Sequence, residues 1–260
     1  MAKKVLVLFD RGMLITPSSR LGFEEDDENY ELIKFYDELC VGDVTDAPYS
    51  NIDVHKNLRF VEDENLKARI EEIEENVKKV KSYPKDTKIY FLIYVEDKKV
   101  NETCCYYKFS PYFIGFENLN LVKYKIVVKE NKKWGVSFED YESSQIIKLS
   151  NDDLRANASK WEEIKNQKAG FIIKKNGKIE SEQYEKIKTN IIPLLNRRYK
   201  PYPIIYQEFI KNQENTNYDS IHFEYCLYKM IEDGIVIRSH KIGYYSGCRD
   251  IYFEQSFRLK

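Results

Sequence analysis

Lys3-Lys-Val-Leu-Val-Leu-Phe-Asp10 is a near-continuous apolar run closed by a carboxylate. Apolar side chains on successive residues, rather than on every second one, mark a strand buried on both faces, as in parallel sheets. Lys88-Ile-Tyr-Phe-Leu-Ile-Tyr-Val95 repeats the pattern, and Tyr30-Glu-Leu-Ile-Lys-Phe35 and Leu121–Val128 add two more strand candidates. Glu62–Tyr83 reads as a helix, because Leu66, Ile70, Ile73, Val77 and Val80 fall at spacings of four, three, four and three and so share one stripe. Acidic residues crowd its first half and lysines its last, which complements the helix dipole, and Pro84 ends it. The stripe is too short to require a coiled coil, so packing against a core is the expected use. Asn101–Phe109 is a second helical segment. Strands alternating with helices predict an α/β domain over residues 1–135, a mostly parallel sheet with flanking helices. The acidic run Glu24–Glu28, inside the loop-like stretch Arg11–Asn29, reads as solvated.

The C-terminal half has a different rhythm. Ser150-Asn-Asp-Asp153 before Leu154 is a variant of the capping box and starts a helix reaching about Gln167, with Trp161 and Ile164 on it. Phe171–Lys174, the turn Asn176-Gly177 and a helix from about Ser181, interrupted at Pro193, come next. Pro201 and Pro203 lead into the last module. There a helix-like run, Ile221–Gly234, feeds two β-like runs, Ile235–Arg238 and Ile251–Glu254, with Gly243 and Gly247 between them. A helix closed by glycine and followed by a hairpin is the pattern of a winged-helix-like module. Residues 146–260 therefore read as a mainly helical, winged-helix-like domain, joined to the first through the polar stretch Lys129–Gln145.

Composition narrows the field of functions. Of 260 residues 42% are hydrophobic and 33% charged, an ordinary water-soluble balance, and the net charge of −1 gives no global attraction to polyanions. Residues 151–260 nevertheless carry a mild excess of Lys and Arg. The five cysteines (Cys40, Cys104, Cys105, Cys226, Cys248) form no Cys-x-x-Cys pair and are expected to be buried, reduced thiols. Val5–Phe9 is too short for a signal peptide, and no apolar stretch is long enough to span a bilayer, so a cytoplasmic protein without membrane contact is expected.

No zinc-spaced cluster includes His55, His222 or His240, and the P-loop, dinucleotide and nucleophile-elbow patterns are absent. A zinc site is therefore not expected, and the sequence does not name a cofactor. What remains is carboxylates at or near strand ends, where ligands of open α/β sheets bind. Asp10, Asp37, Asp97 and Glu102 form a candidate pocket, to bind a metal or to act as acid and base on a small molecule or nucleotide. Solvated strand ends and helix caps are the plainer reading of the same residues. A second candidate contact, for nucleic acid or a protein partner, is Arg197, Arg198, Lys200, Arg238, Lys241 and Arg249. The acidic residues Asp219, Glu224, Glu232 and Asp233 of the neighbouring helix argue against a phosphate-lined groove.

Three segments resemble an uncharacterised bacterial family that pairs domain of unknown function eighteen-thirty-five with domain of unknown function thirty-six-fifty-eight. The first is Val5–Asp10 with Ile33-Lys-Phe-Tyr-Asp-Glu-Leu-Cys-Val-Gly42. The second is Leu149-Ser-Asn-Asp-Asp-Leu154 with Trp161, Asn176-Gly-Lys178 and Tyr184, and the third is Phe223–Phe253 with Arg249; Val100-Asn-Glu102 is a weaker match. Phe9-Asp10-Arg11 stands where the family shows Gly-Asp-Ser, and Phe171-Ile172 where it shows Leu-Arg. The resemblance thus implies a bacterial protein with the same two-domain order and a degenerate N-terminal motif. Together these readings predict a non-catalytic ligand- or partner-binding, regulatory protein. The alternatives are an enzyme using the strand-end carboxylates and nucleic-acid binding through the C-terminal module.

Overall fold

A computed structural model describes residues 4–9, 30–37, 39–42, 44–47, 63–94, 100–124, 127–128, 134–135, 146–167, 170–175, 178–212, 216–218, 220–239 and 256–260. By contact the chain groups into two compact units. One comprises Met1–Glu38, Asp46–Tyr49 and Lys67–Asn166; the other comprises Leu39–Thr45, Ser50–Leu66 and Gln167–Lys260. The fold is mixed α/β, as expected, with six α-helices among the described residues.

The first unit is built on strands β1 (Lys4–Leu8), β2 (Tyr30–Lys34), β3 (Lys88–Tyr94), β4 (Asn118–Tyr124) and, after the short pair β5 (Val127–Val128) and β6 (Trp134–Gly135), β7 (Ile146–Leu149). Their order across the sheet is β2-β1-β3-β4-β7, parallel except for the antiparallel edge strand β7. Val5 to Phe9 are all 0–1% exposed, so the unbroken apolar run does mark a strand covered on both sides.

Helix α1 (Asp63–Ser82) runs between β2 and β3, and α2 (Val100–Phe109) between β3 and β4. The stripe on α1 packs as a core face: Ile73 and Val80 are buried, Asn76 donates to the Lys34 carbonyl at 2.9 Å, and Lys79 pairs with Glu31. Helix α2 lies over an aromatic layer. The Tyr106 ring meets Phe9 at 5.5 Å and Phe91 at 5.8 Å, and Phe109 stacks on Phe35 at 4.8 Å. Fully burying each such phenylalanine stabilises by about 1.5–3 kcal/mol, so this layer locks α2 onto β1, β2 and β3. Helix α3 (Asn151–Asn166) also belongs to this unit, beyond the polar stretch where the sequence suggests the join. It is anchored there by Asn157, which donates to the Ser110 hydroxyl at 3.0 Å, and by Asn151, which accepts from the Gly115 amide at 2.6 Å. Its capping box forms: the Ser150 hydroxyl accepts from the Asp153 amide, while Asp153 accepts from the Ser150 amide at 2.8 Å and hydroxyl at 2.7 Å.

The second unit alternates helices with two small sheets. One joins β8 (Phe171–Lys175) to β9 (Lys178–Glu182) and later to β11 (Thr216–Asn217). Val41 bridges Phe171 on the same sheet, and the neighbouring Gly42 takes a φ of +73° that favours glycine. Ser181 therefore lies in a strand, and helix α4 (Tyr184–Ile191) starts three residues later than the sequence suggests. The expected helix start coincides with a hairpin's return strand, paired from Phe171↔Glu182 to Lys175↔Lys178. The other sheet has the order β10-β13-β12, with β10 Lys200–Pro201, β12 Val236–Arg238 and β13 Ser256–Leu259. Helices α5 (Tyr202–Lys211) and α6 (Ser220–Glu232) complete the unit.

Helix α6 closes as the sequence predicts. Gly234 has φ +69°, its amide reaches the Ile231 carbonyl at 3.0 Å, and the Ile235 amide reaches Met230 at 2.9 Å, a Schellman motif. The antiparallel pair that follows is β12 with β13; the expected strand Ile251–Glu254 lies outside the described residues.

Candidate functional site

The strand order reverses direction at β1, whose neighbours are β2 on one side and β3 on the other. In open α/β sheets, ligands bind beyond the carboxyl ends of the strands on either side of such a reversal, here β1 and β3. Phe9 continues β1 at its carboxyl end, and the first turn of α2, with Asn101 and Glu102, follows β3 in the chain. Glu102 is buried at 3% exposure. Asp10 and Asp97 lie outside the described residues.

Asp37, just beyond β2, is the candidate whose surroundings are best defined, and it is fully buried. Its carboxylate accepts from the Lys108 ammonium at 2.7 Å, with side-chain exposures of 3% for Lys108 and 0% for Asp37. Its backbone carbonyl accepts from Asn101 Nδ2 at 2.7 Å and from the Cys105 thiol at 3.3 Å, and its amide donates to Cys105 Sγ at 3.4 Å. Asn101, Cys105 and Lys108 sit at spacings of four and three, so one stripe of α2 carries these three partners of Asp37. Burial and the nearby Asp37 charge push the Cys105 thiol well above its ordinary range, which makes it a poor nucleophile.

The same ammonium reaches a second segment. Lys108 donates to the Ala47 carbonyl at 2.8 Å and lies 5.5 Å from the centre of the Trp161 ring. Beside Ala47, Asp46 accepts from Trp161 Nε1 at 2.8 Å and from Lys165 at 2.6 Å. The Lys165 bond, opposed by partial burial and helped by Trp161, holds the Asp46 carboxyl below its usual range. Lys108 is therefore a hub: one buried cation joins the end of β2, the segment at 46–47 and helix α3. The cluster pairs its charges, Asp37 with Lys108 and Asp46 with Lys165; the first pair is buried, whereas the Asp46 side chain is largely exposed.

In the second unit Arg197 and Arg198 are exposed just before β10. Lys200 and Arg238 both pair in register with Phe257, so they share the sheet face on which that ring is buried. Lys200 is taken up by Glu208 and the Leu194 carbonyl. Lys241 and Arg249 lie outside the described residues, as do His55 and His240. His222 is buried in α6, with Nε2 2.7 Å from the Ile172 carbonyl, as a packing histidine would be. Among the described residues no group of three or more His, Cys, Asp or Glu side chains is placed to hold a metal ion, and no helix is long and apolar enough to cross a membrane.

Reading the sequence for carboxylates misses Lys108, Cys105 and Asn101. Their signal was present in Asn101-x-x-x-Cys105-x-x-Lys108, a polar stripe on a helix whose other residues are largely aromatic or apolar. It also misses Arg258, which stands on the other face of β13 from Phe257, with its guanidinium 5.2 Å from the centre of the Tyr199 ring.

No family model matches the chain, and neither a curated protein nor a solved structure does. The likeness to the two-domain family accordingly rests on the quoted motifs alone.

Proposed function

We propose that this is a non-catalytic, ligand-binding regulatory protein whose ligand sits beyond the carboxyl ends of β1 and β3. The observation that carries the reading is the reversal of strand order at β1, the place where open parallel sheets form their binding crevice. Support for the non-catalytic part comes from Asp37. A carboxylate neutralised by a buried lysine 2.7 Å away has no lone role as acid or base. The α6, β12, β13 succession fits a winged-helix-like contact module in the second unit, and the bacterial two-domain resemblance is consistent with that division of labour.

The test is a thermal-shift screen against nucleotides and common metabolites, followed by hydrogen exchange on any hit. A ligand present at about 100 times its dissociation constant adds roughly 2.7 kcal/mol, a readily measured shift. The reading expects new protection at residues 8–9 and 100–103, with the ligand recovered chemically unchanged. Turnover of the ligand, or protection confined to the second unit, would overturn it.

A further inference from the structure

The exposed edge of the β10-β13-β12 sheet carries a feature that the ligand reading of the first unit does not use. Strand β13 pairs Lys200↔Phe257 and Arg238↔Phe257, which turns those three side chains to the covered face. The next residue, Arg258, is therefore on the opposite face, where its guanidinium lies over the Tyr199 ring at 5.2 Å. Tyr199 is 48% exposed. The bend before it is fixed rather than loose: the Asn196 carbonyl accepts from the Leu259 amide at 2.9 Å, and Asn196 Oδ1 accepts from the Arg198 amide at 2.7 Å. Arg197 and Arg198 project from this bend as exposed residues, and among the described residues none of the three arginines forms an ion pair. The result is a pinned platform of one half-exposed aromatic ring, a guanidinium already stacked against it and two further exposed arginines.

We infer that this platform binds single-stranded nucleic acid, with a base stacked at Tyr199–Arg258 and the backbone phosphates on Arg197, Arg198 and Arg258. Three features favour that partner. Aromatic rings paired with guanidinium planes are the groups on which unpaired bases stack. Arginine rather than lysine supplies the charge, and its planar fork matches phosphate oxygens in two-point contacts. The third feature excludes a duplex read by α6, the helix preceding the β12–β13 pair. Of its residues only Glu232 is fully exposed, and its lysine, Lys229, is paired with that glutamate at 3.0 Å. A helix with its apolar residues buried and an acidic tip does not enter a phosphate-walled groove. A ring on a sheet edge needs no groove. The inference stands apart from the proposal for the first unit and neither needs nor implies a ligand there.

The experiment uses the full chain and fluorescence anisotropy with labelled oligouridine and oligothymidine at 50 and 200 mM salt. With three phosphates neutralised, the fourfold rise in salt weakens binding by about 20-fold. Tyr199→Ala weakens it by about 10-fold at both salt concentrations and leaves that ratio unchanged, because stacking is not ionic. Arg258→Gln lowers both the affinity and the salt ratio, to about sevenfold. Because Arg258 is part of a strand, Arg197→Gln/Arg198→Gln on the exposed bend is the companion variant, and it too lowers both. Tighter binding of oligouridine than of oligothymidine would assign the site to RNA, and equal binding would assign it to single strands of either sugar; both support the inference. No binding at 50 mM salt, unchanged binding in the Arg197→Gln/Arg198→Gln variant, or tighter binding of a duplex would overturn it. Equal competition by a glutamate-rich peptide would also overturn it and point to an acidic protein partner.

Discussion

Replacing Lys108 with methionine removes the cation and keeps most of the volume of its side chain. The ammonium is 2.7 Å from the Asp37 carboxylate and both side chains are shielded from water, at 3% and 0% exposure. At an effective dielectric constant of 20, charges that close attract by about 6 kcal/mol, and the cost of dehydrating both ions offsets much of this. The net value of the intact pair is therefore modest. Removing one partner is different, because the other stays buried without this counter-charge, which costs about 3–5 kcal/mol. The Ala47 carbonyl loses its donor as well. Lys108→Met should destabilise the first unit by about 4 kcal/mol, equivalent to a fall in melting temperature of about 8–16 °C for a chain of this size. The double variant Asp37→Leu/Lys108→Met removes both charges, and its cost should be at least about 2 kcal/mol smaller than the sum of the two single changes. Equilibrium urea unfolding followed by tryptophan fluorescence gives the four corners of the cycle. Native-state hydrogen exchange at α2 and β3 assigns the loss to the first unit. A cost for Lys108→Met below about 1 kcal/mol, as measured for solvent-exposed pairs, would refute the argument that this cation is a buried structural hub.

Other outcomes follow from the same geometry. Ser150→Ala should cost about 1 kcal/mol by unravelling the capping box of α3, and Ser150→Asp much less; urea midpoints of the two variants check this. Asp46 has a folded-state carboxyl pKa below its unfolded value, so it contributes stability above about pH 4 that is lost as the pH falls through the lowered value. Asp46→Asn should flatten that acid limb in low salt, and an unchanged dependence of the urea midpoint between pH 6 and pH 3 would contradict the assignment. The effect will be small, since the Asp46 side chain is 70% exposed and screened by water. Cys40, Cys104, Cys105 and Cys226 are all buried, and burial raises the Cys105 and Cys226 thiols far from reactivity. Mass-spectrometric mapping should find these four unmodified after brief iodoacetamide treatment of the native protein and fully modified in urea.

Asp37, the best-defined of the strand-end carboxylates on which the enzymatic alternative is built, is paired with Lys108. Such a pair holds a segment in one conformation, and that matches the pinning of Ala47 by Lys108 and of Asp46 by Trp161 and Lys165. Of the other candidates, Glu102 is buried in the first turn of α2, and Asp10 and Asp97 lie outside the described residues.

What the sequence determined by itself is local and periodic. The apolar runs at 5–9 and 89–93 specified strands of the parallel sheet, the first of them covered on both faces, the four-three stripe specified α1, and Ser150 with Asp153 specified the start of α3. Gly234 specified the end of α6, because only a residue without a Cβ takes its left-handed backbone at no steric cost. The tertiary structure alone decided the strand order β2-β1-β3-β4-β7, the assignment of α3 to the first unit, and the partner of each charge. Lys108 and Asp37 are 71 residues apart, and Trp161 and Asp46 are 115 apart. Periodicity reports which way a side chain faces along its own element, but carries no record of which distant element it will meet. That meeting is set by how whole faces pack. This is why a lysine that reads as the tail of a helix becomes the buried cation of the first unit, and why an arginine one residue beyond a buried phenylalanine becomes the lid of an exposed tyrosine.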